Sequence, residues 1–227
     1  MPFSGSTTSY ALLGLLRLRP WTTYELAKQV QRSLHWFWPR AERTLYDEPK
    51  LLVAAGLATA TVEATGKRPR TVYAITDAGT DALARWLTEP PEPRGLEFAA
   101  LVKVFFADAG TLTQLEGTLG RIEDESAQRV DALAAMARAS LEEFAFPQRL
   151  HLSALTMRLQ LEQELAVLRW ARWARDETGE WDGADSPGRW DAEASLRELL
   201  TLVDAQQSRS EVPRTDGGGR VSARRAH

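Results

Sequence analysis

Ala58-Thr59-Ala60-Thr61-Val62-Glu63-Ala64, then Thr65-Gly66-Lys67-Arg68-Pro69-Arg70, then Thr71-Val72-Tyr73-Ala74-Ile75-Thr76-Asp77-Ala78-Gly79, is the most telling segment of this 227-residue chain. Its first and third parts alternate and are rich in Thr, Val, Tyr and Ile, which reads as two strands. The part between them sets Gly66 and Pro69 among three cations, the chemistry of a solvent-facing turn. Thr76 or Asp77 then offers a capping oxygen to a helix carrying Ala82, Leu83, Trp86 and Leu87. A hairpin with a basic tip leads straight into a helix.

Working upstream, three helices precede the hairpin. Tyr10, Leu13 and Leu16 with Leu12 and Leu15 follow helical spacing, and Arg19-Pro20 ends that run. Thr22 or Thr23 caps a second helix, with Glu25 in its first turn and Leu26, Ala27, Val30 and Leu34 as its buried stripe. A third is expected from about Pro39 to Gly56, with Leu51, Leu52, Val53 and Ala55 near its end. Pro49 lies inside it and predicts a bend or an interruption, because proline removes a backbone donor. Helix, helix, helix, hairpin, helix is the order of a winged helix-turn-helix domain with a two-stranded wing.

Glu89-Pro90-Pro91-Glu92-Pro93-Arg94-Gly95 stops any helix and marks a boundary. The net charge of −3 divides unevenly across it. Residues 1–94 hold 12 Lys/Arg against 9 Asp/Glu, while residues 95–227 hold 16 against 22. A basic reader is thus joined to an acidic remainder. The third helix carries Arg40, Arg43, Thr44, Tyr46 and Lys50, and the seven-residue spacing of Arg43 and Lys50 puts them on one face with Tyr46 between. Arg reads guanine, and Lys, Thr and Tyr hold phosphate. A protruding cationic hairpin suits backbone or minor-groove contact. An ordinary solvated helix face also shows a few cations, and Glu42, Asp47 and Glu48, read as solvated, dilute these.

Ser9-Tyr10-Ala11-Leu12-Leu13-Gly14-Leu15-Leu16 resembles the opening of the PadR-type transcriptional regulators. Thr23-Tyr24-Glu25-Leu26, Leu45-Tyr46 with Leu52 and Ala55-Gly56-Leu57, and Gly66–Arg70 with Val72–Gly79 are similar to that family at the matching distances. The resemblance covers residues 8–88 closely and the helical remainder loosely to about 178. It departs at Thr23, where the family has glycine, at Ala41-Glu42-Arg43, which replaces a small approach to Tyr46, and at Pro49, where leucine is usual. It implies DNA contact by Tyr24, Thr44, Tyr46, Lys50, Lys67, Arg68 and Arg70; Arg40 and Arg43 are added from charge and position. It also implies a homodimer formed through C-terminal helices on double-stranded DNA of two-fold symmetric sequence.

The remainder reads as helical. Phe98, Leu101, Val102, Phe105 and Phe106 form one apolar stripe, with Phe105 and Phe106 expected in the core. A long helix begins at Thr111 or Thr113, and another runs from about His151 to Glu177 with apolar residues on more than one face. Such a helix needs partners on both sides, which dimerisation supplies. Trp170 and Trp173 on it could line a pocket for a small aromatic effector or serve as ordinary interface packing. One more helix spans Ala192 to Val203, capped by Asp191. The expected organisation is a DNA-binding domain at 1–94, a helical dimerisation and effector domain at 95–178, a loop and extra helix at 179–207, and a disordered tail at 208–227.

Enzymes find little footing. There is no cysteine, and His35, His151 and His227 are too scattered for a local metal motif. No nucleophile elbow or phosphate-binding glycine loop occurs, so no catalytic residue, metal or cofactor is expected. The next uncharged run after the opening, Leu51–Val62, is too short to span a bilayer, and nothing resembles an export signal. The expectation is a cytoplasmic, effector-released repressor. The alternative is a helical adaptor that binds only protein.

Overall fold

The computed structural model describes residues 5–39, 41–63, 69–95 and 97–210. Helix α1, Thr7–Leu16, starts in a reciprocal cap: the Ser9 N–H donates to Ser6 Oγ at 3.2 Å and the Ser6 N–H donates to Ser9 Oγ at 3.0 Å. Its leucines sit at the centre of the first core, with Leu12 and Leu13 fully buried. Strand β1, Trp21–Thr22, follows, and the Trp21 indole N–H donates to the Leu15 carbonyl at 2.8 Å. Thr22, rather than Thr23, caps α2, Thr23–Ser33, in a second reciprocal box with Glu25. The Thr22 N–H and hydroxyl, helped by Arg19, hold the Glu25 carboxyl below its usual range against a smaller effect of burial.

Helix α3, Glu42–Ala54, begins later than Pro39, from a cap residue, Ala41, that lacks a capping side chain. Of the bend or interruption expected at Pro49, the interruption does not occur: the helix is continuous through it. An interior proline costs roughly 3 kcal/mol, but its ring is fully buried, so packing offsets the missing donor. Gly56 ends the run at φ +71°, the left-handed conformation that only glycine adopts freely.

Strands β2, Ala58–Glu63, and β3, Arg70–Ile75, pair antiparallel from Ala58↔Ile75 to Glu63↔Arg70. The sheet has three strands, in the order β1-β3-β2, because Trp21↔Tyr73 and Thr22↔Val72 also pair. Thr76, rather than Asp77, caps α4, Asp77–Trp86, through a 3.1 Å bond from the Gly79 N–H. Its hydroxyl also donates to the Gly56 carbonyl at 2.8 Å, tying the start of α4 to the end of α3. Trp86 stacks on Tyr10 with ring centroids 4.9 Å apart.

The chain divides into two compact units, Met1–Glu97 with Phe144–Gln160, and Phe98–Glu143 with Leu161–His227. In the first, Phe146 packs against Trp21 at 6.1 Å. The second contains α5, Ala99–Phe105, a 3-10 turn at Ala107–Ala109, and α6, Leu112–Glu142, capped by Thr111 rather than Thr113. Helix α7 is Leu150–Thr178 and α8 is Ala192–Ser210, with Asp191 Oδ1 accepting from the Ala194 N–H at 2.9 Å. Leu115, Leu119 and Ala174 form the second core, backed by Val104, Ala107, Leu112, Trp170 and Trp181. The expected burial of Phe105 and Phe106 is not met: they are 79% and 60% exposed. The apolar stripe of α5 lies on its open face, and Val104 and Ala107 make the inward contacts. Helix α8 runs two residues past Ser208, and the rest of the expected tail, 211–227, lies outside the described residues. Among the described residues no helix is long and apolar enough to cross a membrane.

Candidate nucleic-acid interface

Helix α3 has two opposed rows. Leu45, Glu48, Pro49 and Leu52, at i, i+3, i+4 and i+7, are buried. Arg43, Thr44, Tyr46, Asp47 and Lys50 face outward on successive turns. The inward row fixes the helix, because Leu45 and Leu52 are fully enclosed in the first core. Glu48 corrects the expectation of a solvated acidic face: it is only 8% exposed, and its carboxylate accepts the hydroxyl of Ser9 from α1. Glu48 shares its helical period with Leu45 and Leu52, and that spacing was the available signal. Its charge pointed the other way.

The outward row carries its cations lightly held. Lys50 pairs with Asp47 at 3.2 Å, both well exposed, and an exposed pair of this kind is worth about 0.3–0.5 kcal/mol. A phosphate can therefore displace Asp47 at small cost. Tyr24, near the start of α2, is 64% exposed. On the hairpin, Arg70 stands opposite Glu63 and pairs with it at 3.2 Å, so the strand pair next to the turn is neutral. The charge excess of the wing then rests on Lys67 and Arg68, which, with Arg40, lie outside the described residues.

The two tryptophans of α7 are placed differently. Trp170 is half-buried against the Leu115–Leu119–Ala174 cluster, whereas Trp173 is 43% exposed with Trp190 at 6.5 Å. Trp190 in turn lies 5.4 Å from Trp181, so the segment after α7 adds two rings beside Trp173. Among the described residues no group of His, Cys, Asp and Glu is arranged to hold a metal ion.

Residues 12–85 match the Transcriptional regulator PadR-like family, and residues 99–178 match the Virulence activator alpha C-term family. The Negative transcriptional regulator PadR of Bacillus subtilis is 31% identical over 100 residues, covering 43% of this chain and 54% of that protein. The Probable transcriptional regulator Rv1176c of Mycobacterium tuberculosis is 37% identical over 71 residues, covering 31% and 38%. The chain thus spans about half or less of the length of these curated relatives. Among solved structures, Bacillus subtilis PadR in complex with operator DNA superposes with a TM-score of 0.67 at 22% identity, over 76% of this chain and 99% of that one. The same protein in complex with p-coumaric acid gives 0.64 at 21%, over 77% and 100%. A winged unit of this build, followed by helices of the second type, thus carries a match to the PadR-like transcriptional regulators at residues 12–85 and to the virulence-activator C-terminal domain at residues 99–178.

Proposed function

We propose that the chain is a cytoplasmic DNA-binding repressor that reads a two-fold symmetric operator as a homodimer and leaves it when a small aromatic effector binds. The observation that carries this reading is the division of α3 into a locked row, Leu45–Glu48–Pro49–Leu52, and an exposed row, Arg43–Tyr46–Lys50. A recognition helix needs both, since base edges are read only by side chains whose backbone is held still. Arg43 and Arg40 would read bases, Thr44, Tyr46, Lys50 and Tyr24 would grip phosphate, and the wing cations Lys67, Arg68 and Arg70 would flank the groove.

Exposed apolar residues favour the dimer. Leu152, Leu155 and Leu159 line one side of α7, and Leu196, Leu199, Leu200 and Val203 line one side of α8. Faces this apolar call for a partner. Half-sites one helical turn apart, roughly 34 Å, would follow. Trp173, exposed beside Trp190, and Trp170, three residues before it, are the aromatic contacts assigned to an effector.

The test is selection of bound fragments from genomic DNA by the full chain. Enrichment of one symmetric sequence supports the reading. No enrichment would leave a helical protein-binding adaptor as the better account.

A further inference from the structure

We infer that α8 is an assembly helix that joins two homodimers, packing with the α8 helices of further copies of this chain in a four-helix bundle. The helix begins at Ala192, past Thr178, the last residue of either family match, so it is an addition to the matched C-terminal domain. Every residue from Leu196 to Ser208 is exposed. Leu196, Leu199, Leu200, Leu202 and Val203 remain between 49% and 67% open. Helices in proteins owe most of their stability to a packed apolar face. The apolar face of α8, a 19-residue helix, lies open among the described residues.

The width of that face selects the partner. Leu196, Leu199 and Val203, at i, i+3 and i+7, form the narrow seam that a two-stranded coiled coil buries. Leu200 and Leu202 lie on either side of the seam, and the five residues together spread over about 160° of the helix circumference. A pair of helices would leave Leu200 and Leu202 in water. In a four-helix bundle each helix touches two neighbours, so seam and flanks are covered together. Roughly 500 Å2 of apolar surface per helix would then leave water, or roughly 2,000 Å2 for four, the size of a stable protein interface.

The charges agree. Glu193, Arg197, Glu198 and Asp204 all fall off the stripe, and Arg197 is held by Glu193 at 2.6 Å. The stripe therefore offers no charge to a nucleic acid or a charged peptide, and it is complementary to another stripe like itself. A homodimer displays it twice, so two dimers supply the four helices and close the assembly. The inference rests on the homodimer proposed above and adds a second contact, between dimers. A tetramer carries four winged units, one pair more than a single symmetric operator needs.

The test is light scattering of the full chain on a sizing column at micromolar concentration. Two variants accompany it, Leu196→Glu with Leu199→Glu, and Leu200→Glu with Leu202→Glu. All four positions are exposed in a single chain, so the substitutions leave both cores intact, and thermal melts check this. The expected result is the mass of four chains for the parent and a twofold loss of mass in each variant, because glutamates buried in every helix break the bundle. A parent of two chains overturns the inference, leaving the dimer reading standing and α8 to an unlike partner. A parent of one chain overturns both. A variant that stays a tetramer overturns the inference, and so does a variant that falls to one chain, which would place α8 within the dimer.

Discussion

The Ser9 hydroxyl on α1 donates to the buried carboxylate of Glu48 on α3, and this bond joins the capped start of one helix to the inward row of the other. The same oxygen also accepts the Ser6 N–H, so one serine both completes the cap of α1 and locates α3. Glu48→Ala leaves Ser9 without this acceptor in an enclosed site, and should destabilise the fold by about 1–3 kcal/mol. Glu48→Gln keeps an acceptor oxygen and should cost less than half as much. Urea unfolding measures both, and an unchanged midpoint for Glu48→Ala would deny the bond its structural role.

Gly79 and Gly117 should respond to alanine with opposite signs. A Cβ at Gly79 would stand 2.1 Å from the Leu57 carbonyl oxygen, a backbone atom that cannot move aside cheaply. Gly79→Ala should therefore destabilise by about 1–3 kcal/mol despite its better helix propensity. At Gly117 there is open space, so Gly117→Ala should stabilise by about 0.5–1 kcal/mol. Thermal melts of the two variants check the pair.

Glu123 accepts from Arg175 and, at 3.0 Å, from Arg172. Those two bonds hold its carboxyl below the usual 4.5. A depressed carboxylate stabilises the fold above its unfolded pKa, and that contribution is lost as pH falls through the folded value. The melting temperature of the parent should drop on acidification below about pH 4.5 more steeply than that of Glu123→Gln. Parallel curves would show that the pair contributes nothing, as exposed pairs often do.

Charge reversal of Lys67, Arg68 and Arg70 should weaken binding to every DNA sequence. It should also lower the slope of log affinity against log salt, by about one for each phosphate that is no longer neutralised. Because Arg70 is already paired with Glu63, its single reversal should matter less than that of Lys67 or Arg68. Fluorescence anisotropy at three salt concentrations measures this, and unchanged slopes would remove the wing from the interface.

Local signals carried most of the winged unit. Alternation marks the strands on either side of the turn, and Thr22, Thr76 and Thr111 each stand one residue ahead of a helical run. Strand β1 is two residues long, too short for alternation to register, and its pairing with Tyr73 is a tertiary event. The interruption that Pro49 allowed fails to occur for a related reason, since the penalty is local and the burial that offsets it is not. Phe105 and Phe106 show the limit of periodicity, which finds an apolar face without saying what covers it. In the candidate interface the residue types were legible, but the pairings with Asp47 and Glu63 were not, and those decide which cations are held.

The sharpest test of the interface is the affinity of the full chain for a genomically selected duplex and for a scrambled duplex of equal length, measured at one salt concentration, with Arg43→Ala alongside. A repressor reading bases through α3 should prefer the selected site by about a thousandfold or more, and Arg43→Ala should lose about 1–3 kcal/mol of that preference at one operator position. Equal affinity for both duplexes, or a preference untouched by Arg43→Ala and by Lys50→Ala, would contradict the assignment of α3 as the reading helix.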